Sequence, residues 1–132
     1  AIIEGFRPGV MERLGIGPTE CAKRNPKIVF GRMTGWGQDG PYAPLAGHDI
    51  NYLSLAGLAS FSGRPETGPV LSGTQIADVG GGSHHAVMGI LAAVIERHAS
   101  GRGQATSASC SSTMRTLSPM ARRCRRSLSS RP

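Results

Sequence analysis

The segment Lys27-Ile28-Val29-Phe30-Gly31-Arg32-Met33-Thr34 decides the fold class of this 132-residue chain. Its β-branched and aromatic residues predict a buried strand. Ala1–Glu4 has the pattern of another buried strand. Between the two, Pro18–Asn25 has the early proline and acid that mark the start of a helix. A strand, a helix and a strand in this order predict an α/β fold with a parallel sheet.

Glycine, proline and the spacing of apolar residues predict the other elements. We expect a short helical turn at Val10–Leu14, helices at Asp49–Ala59 and Ala77–His98, and an irregular stretch at Ser62–Gly73. The loop Gly35–Tyr42 follows the central strand at its carboxyl end. Because ligands bind at that edge of open α/β sheets, we expect the functional site beside this loop.

The positive charge of the chain is concentrated after residue 104. The sequence has 15 basic and 8 acidic residues, for a formal net charge of +7. All eight acids precede residue 105, and the six later bases are Arg115, Arg122, Arg123, Arg125, Arg126 and Arg131. Without those six, nine bases face eight acids, which argues against a specific nucleic-acid partner for the folded body. Residues 105–132 also hold eight serines and few apolar residues, so we predict that this Arg/Ser-rich tail is disordered.

Cysteine usage and hydropathy indicate the class of protein. Cys21, Cys110 and Cys124 have no CxxC spacing, which favours reduced thiols in a reducing compartment. No apolar run approaches the roughly 18 residues that a membrane-spanning helix needs, and the first nine residues do not resemble a signal peptide. We therefore expect a cytoplasmic protein with no membrane partner.

His48 stands at the entrance of the predicted Asp49–Ala59 helix. The positive end of a helix dipole disfavours the imidazolium and so favours the neutral imidazole, which is the form that a general base needs. The alternative is a histidine that only caps the helix or makes a local hydrogen bond. The sequence at this position alone leaves both interpretations open.

Asp78 lies at the start of the longest predicted helix and is followed by Gly80, Gly81 and Gly82. Aspartate is a favoured N-cap, so capping alone would justify it. The glycines are harder to explain, because each costs roughly 1 kcal/mol of helix propensity relative to alanine. Such a run predicts that a bulky ligand or a neighbouring helix approaches the backbone closely.

Other polar residues carry weaker signals. Arg7, Arg13 and Arg32 lie near turns or strand ends, where each could hold a phosphate or remain a solvated surface charge. His84 and His85 are adjacent in sequence and so point in different directions on a helix, which does not make a metal pair. We expect no metal site.

Five motifs in order resemble the family III CoA-transferases and, within that family, the α-methylacyl-CoA racemases. The resemblance runs from about Ile3 to Gln104, and the distinctive feature of the racemase branch is the histidine in its third motif. The motifs are Glu4-Gly5-Phe6-Arg7-Pro8-Gly9-Val10-Met11-Glu12-Arg13-Leu14, Met33-Thr34-Gly35-Trp36-Gly37-Gln38, Ala46-Gly47-His48-Asp49-Ile50-Asn51-Tyr52, Ala77-Asp78-Val79-Gly80-Gly81-Gly82 and Gly101-Arg102-Gly103-Gln104.

The resemblance implies a Rossmann-like parallel-sheet domain and a role for particular residues. His48 and Asp78 match the two catalytic bases that exchange a proton at C2 of a 2-methylacyl-CoA thioester through an enolate. The implied substrate and CoA contacts are Arg7, Arg13, Asp49, Tyr52, Gly80, Gly81 and Gly82. It further implies an acyl-CoA substrate of lipid metabolism, an interlocked homodimer, and no cofactor other than the coenzyme A of the substrate.

Two other functions remain compatible with the sequence. In a family III CoA-transferase, Asp78 would act as a nucleophile that forms an acyl anhydride, although His48 argues against this assignment. Alternatively, the chain is a non-catalytic fragment whose basic tail binds acidic surfaces or RNA without specificity.

The chain also departs from the family pattern. Family members extend further on both sides, and their third catalytic acid, a glutamate, has no counterpart here. After Gln104 the family continues with an apolar strand, whereas residues 105–132 are rich in arginine and serine. We interpret residues 1–104 as part of the family's large domain and the tail as the product of a shifted reading frame. We therefore expect weak or no activity from the chain alone.

Overall fold

The computed structural model describes residues 1–111. The strands of the described part are β1 Ile2–Glu4, β2 Val29–Thr34 and β3 Gln104–Ser109. The α-helices there are α1 Val10–Arg13, α2 Pro18–Arg24, α3 Asp49–Ala56 and α4 His84–Ser100. A 3₁₀ segment spans Leu58–Ser62, and a π-helical segment spans Ile76–Ser83.

The strands form a parallel sheet in the order β1-β2-β3, which confirms the predicted α/β fold with a parallel sheet. Phe30 in the central strand pairs with Ile2 on one side and with Ala105 on the other. Helix α4 packs on β2 and β3 and buries Ile90 and Ala93 against Val29, which is fully buried. Burial of these apolar side chains holds the helix on the sheet.

A second apolar cluster lies at the carboxyl end of the sheet. Its buried members come from α3, the π-helical segment and the residue after β3: Tyr52, Leu53, Ala56, Ala77 and Cys110. Met33 and Trp36, at the end of β2 and in the loop after it, pack against this cluster. The cluster therefore joins three segments that are far apart in sequence at the edge where the sequence predicts the functional site.

Two predicted helices have different boundaries in the structure. The stretch predicted as one helix over Ala77–His98 is divided into the π-helical segment and α4. The glycine run explains the division, because glycine weakens regular helix and tolerates a widened turn. Helix α3 ends at Ala56 rather than Ala59, because Gly57 adopts the left-handed conformation with φ of 78° and ends the helix.

The prediction of disorder from Ala105 is wrong for the residues that form β3. Its backbone pairs with every residue of β2 over Val29–Thr34, so main-chain hydrogen bonds and not apolar periodicity stabilise the strand. The amide of Gly103 donates to the carbonyl of Pro26 and fixes the approach of β3 to the sheet. The remainder of the predicted tail, residues 112–132, lies outside the described residues.

The glycine run generates a test of the packing. A Cβ atom at Gly82 would overlap Met33 Cε and lie 2.7 Å from Cys110 Sγ, whereas one at Gly80 would meet nothing within 4 Å. We expect Gly82→Ala to lower the free energy of unfolding by about 1–3 kcal/mol through overpacking. Gly80→Ala is the matched control and should be neutral or stabilising by up to about 1 kcal/mol. Urea unfolding measures both, and equal effects of the two substitutions would contradict this packing.

Candidate active site

The side chain of Asp49 links the beginnings of two helical segments. Asp49 is the first residue of α3, and its Oδ1 accepts hydrogen bonds from the amides of Ala77 at 2.6 Å and Asp78 at 3.0 Å. The first amides of a helical segment have no partner within it, and a carboxylate is a favourable acceptor for them. The segment that carries His48 is thereby held against the segment that carries Asp78.

His48 is the N-cap residue of α3 and has an extended backbone, with φ of −138° and ψ of 164°. Its amide donates to Asn51 Oδ1 at 2.9 Å, which fixes the entrance of the helix. The residue as a whole is exposed. The structure therefore places this imidazole at a helix entrance on the surface, which is accessible to a ligand.

Asp78 is not the N-cap of its segment. That position is Gln75, and Asp49 supplies the carboxylate that satisfies the segment's amides. The capping role that the sequence offered as the alternative for Asp78 is thus filled by another acid. Asp78 itself is half-buried and lies beside Cys110 and Tyr52.

Tyr52 belongs to the apolar cluster at the carboxyl end of the sheet and is only 2% exposed. Its hydroxyl lies so close to Gly35 and Gly47 that a Cβ at either glycine would overlap it. Burial, followed by electrostatic interaction with Cys110, Asp78 and Asp49, raises the pKa of Tyr52 to about 12. Tyr52 is therefore protonated at neutral pH and supports the backbone immediately before His48, rather than acting as a base.

Aromatic side chains secure the loop that follows β2. Trp36 contacts Tyr52 edge-to-face with ring centroids 4.7 Å apart, and its Nε1 donates to the carbonyl of Ala46 at 3.2 Å. Tyr42 lies against Trp36 at 5.3 Å between centroids. These contacts anchor the backbone that leads into His48.

Cys110 is a site residue that the sequence analysis missed. It is 4% exposed, and burial followed by its hydrogen bond with Asp78 raises the pKa of the thiol to about 12. A thiol with so high a pKa is not a nucleophile at neutral pH. The position follows a strand that was assigned to a disordered tail, so no sequence signal connected Cys110 with Asp78.

Two cavities are lined in part by residues of α3. The larger, of about 560 Å³, lies between α3, the 3₁₀ segment and the stretch leading to Ile76. Its lining is mainly apolar and includes Leu53, Phe61 and Leu71, with Asp49 at one side. The smaller, of about 180 Å³, lies between the turn after β1 and the Ala46-Gly47 backbone, with Tyr52 in its wall.

The candidate phosphate-binding arginines have three different environments. Arg7 lines the smaller cavity together with Tyr52, whereas Arg13 is exposed on α1 and does not line it. Arg32 is paired with Glu4 and Glu12, so its guanidinium is already occupied. The structure thus groups Arg7, but not Arg13 or Arg32, with the residues around His48.

The glycines of the run also differ. Gly82 is buried against Met33 and Cys110, so packing within the protein accounts for the absence of a side chain there. Gly81 is buried as well, whereas Gly80 is exposed and faces open space. Among the three, Gly80 leaves most room for a ligand beside Asp78.

Residues 1–111 contain neither a metal-binding cluster nor a membrane-spanning helix. No group of three or more histidine, cysteine, aspartate or glutamate side chains in this part of the chain is arranged to hold a metal ion. None of the helices described there has the length and apolar character needed to cross a membrane.

Comparisons with known proteins identify the family. Residues 1–124 match the family model described as CoA-transferase family III. The chain is 46% identical over 103 residues to mouse alpha-methylacyl-CoA racemase, covering 78% of this chain and 27% of that protein. It is 38% identical over 103 residues to formyl-CoA:oxalate CoA-transferase of Streptomyces avermitilis, covering 78% and 25%.

A solved structure agrees with these matches. The crystal structure of a CaiB/BaiF family protein from Brucella suis superposes with a TM-score of 0.82 at 28% identity, over 97% of this chain and 33% of that one. The chain thus spans about a quarter of the length of the curated relatives it matches. From its sequence and its fold together, the chain belongs to CoA-transferase family III.

Proposed function

We propose that the chain carries the proton-transfer centre of an isomerase that racemises 2-methylacyl-CoA thioesters at C2. The observation that carries the proposal is the carboxylate of Asp49, which holds the entrance of the His48 helix against the backbone of Asp78. An imidazole and a carboxylate on two joined segments are suited to a two-base reaction. The similarity to mouse alpha-methylacyl-CoA racemase supports the same assignment.

The proposed mechanism is a 1,1-proton transfer. One of the two groups, His48 or Asp78, removes the C2 proton from one face, and the conjugate acid of the other returns a proton to the opposite face. Removal of the proton leaves an enolate, whose negative charge develops on the thioester oxygen. Backbone amides in the first turn of α3, including that of Asp49, are the proposed donors to this oxygen. The reaction needs no metal and no redox cofactor, because only a proton moves.

The two cavities provide the proposed places for the ends of the substrate. The apolar cavity is within the roughly 300–1,000 Å³ of typical ligand sites, and its aliphatic and aromatic lining suits an acyl chain. The smaller cavity suits a polar part of the coenzyme A, because Arg7 lines it. We place the thioester near Asp49, which lines the apolar cavity.

A CoA-transferase reaction is the second candidate. The 38% identity to formyl-CoA:oxalate CoA-transferase favours it, because that enzyme matches 78% of this chain. In this reaction Asp78 would attack the thioester and form a mixed anhydride, releasing coenzyme A. Incubation with acyl-CoA followed by intact-mass spectrometry separates the two, because only the transferase forms a covalent adduct on Asp78.

Deuterium exchange tests the proposed racemisation. In heavy water the chain should wash deuterium into C2 of a 2-methylacyl-CoA, detected by mass spectrometry after long incubation at high protein concentration. His48→Ala and Asp78→Asn should each slow the exchange by at least about a hundredfold, because each removes one of the two proton carriers. His98→Ala is the matched control, since His98 is exposed near the end of α4. Exchange that survives both active-site substitutions would reject the two-base mechanism.

The apolar cavity generates a separate prediction about substrate affinity. Phe61 lines the cavity although it is 53% exposed. We expect Phe61→Ala to weaken binding of a long-chain acyl-CoA by about tenfold and to leave acetyl-CoA unaffected, because only the long chain reaches the lost apolar surface. Leu14→Ala is the control, since Leu14 is 61% exposed outside the cavity. Calorimetric titration measures these affinities, and an equal loss for both ligands would contradict the assignment of the cavity.

A further inference from the structure

An ion-pair network joins the first two strands to the segment that carries Arg7 and Arg13. Its centre is Glu4, the last residue of β1, which is only 5% exposed. Glu4 Oε1 accepts from Arg32 Nε at 2.9 Å, and Glu4 Oε2 accepts from the amide of Phe6 at 2.7 Å. One carboxylate therefore ties β2 to the turn that follows β1.

Arg32 extends the network from β2 to helix α1. Its Nη1 and Nη2 donate to Glu12 Oε1 and Oε2 at 2.7 and 3.1 Å, which is the bidentate arrangement that fixes an arginine and a carboxylate in one orientation. The hydrogen bonds and charge of Arg32 lower the pKa of Glu12, and those of Glu12 and Glu4 raise the pKa of Arg32. Glu12 and Arg32 are therefore both charged at neutral pH.

The segment from Phe6 to Arg13 has little regular structure to hold it. Helix α1 has four residues, which is too short to be stable by its own propensity. Gly9, immediately before it, adopts the left-handed conformation with φ of 82°. The shape of this segment must therefore come from contacts with the rest of the protein, and the network supplies one contact at each end, at Phe6 and at Glu12.

We infer that Glu4, Arg32 and Glu12 are positioning residues, which orient the segment carrying Arg7 for binding the phosphates of coenzyme A. The inference rests on the proposed function, in which Arg7 lines the cavity proposed for a polar part of the coenzyme. Arg32 is held by two carboxylates and is not available to a phosphate, whereas Arg7 belongs to the segment that the network ties to the sheet.

The test compares coenzyme A with pantetheine, which lacks the nucleotide and its phosphates. Calorimetric titration of the whole chain is carried out with Glu12→Gln, which keeps the volume of the side chain but breaks the two-oxygen contact with Arg32. Glu12 is the exposed end of the network, so the substitution leaves the buried Glu4–Arg32 pair in place. Glu20→Gln is the matched control, because it breaks the exposed Glu20–Lys23 pair on α2 by the same chemical change.

Glu12→Gln should weaken coenzyme A binding by about tenfold and leave pantetheine binding unchanged, because only the phosphates depend on the orientation of Arg7. Glu12→Asp should lose less affinity than Glu12→Gln, because it keeps the charge. Glu20→Gln should bind both ligands as the unaltered chain does.

Three results would count against the inference. An equal loss of affinity for both ligands would show a merely structural role, and an unchanged affinity for coenzyme A would show no role for the network. Either leaves the proposed function intact if the unaltered chain binds coenzyme A. Failure of the unaltered chain to bind coenzyme A at all would overturn the proposed function, and the inference with it.

Discussion

The carboxylate of Asp49 is the constraint on which the candidate site depends. One oxygen accepts the amides of Ala77 and Asp78, so the first turn of α3 and the start of the π-helical segment share an acceptor. Without this carboxylate, the partly buried amides of Ala77 and Asp78 would have no hydrogen-bond partner. The free-energy cost of leaving such an amide unpaired exceeds the net stability that an ordinary hydrogen bond contributes. Because His48 precedes Asp49, the same contact sets where the imidazole stands relative to Asp78.

The titratable groups around the Asp49 hydrogen bonds have different environments. Tyr52 and Cys110 are buried beneath it, and the pKa of each is raised to about 12, so both remain neutral at physiological pH. Asp49 is engaged with backbone amides. His48 is exposed at the surface, and Asp78 is half-buried. This division fits the proposal that His48 and Asp78 exchange protons with a ligand.

Local signals in the sequence were sufficient for much of the fold. The β-branched residues of β2 and the proline at the start of α2 predicted those elements, and the positions of His48 and Asp78 near helix starts were also predicted. Strand β3 was not predicted, because pairing with β2 stabilises it and its residues have no apolar pattern. The side-chain role of Asp49 and the contact of Cys110 with Asp78 join residues far apart in sequence, which no local pattern reports. The roles of His48, Asp78 and the arginines in catalysis or binding stay predictions.

Amide hydrogen exchange at Ala77 and Asp78 tests the central claim most directly. Asp49→Ala removes the shared acceptor, so the account predicts at least about a tenfold faster exchange at these two amides and unchanged protection of Val29 and Phe30 in the sheet. Asp39→Ala, at an exposed acid in the loop after β2, should leave all four amides as they were. Unchanged protection at Ala77 and Asp78 in Asp49→Ala would contradict the claim that this carboxylate joins the two halves of the site.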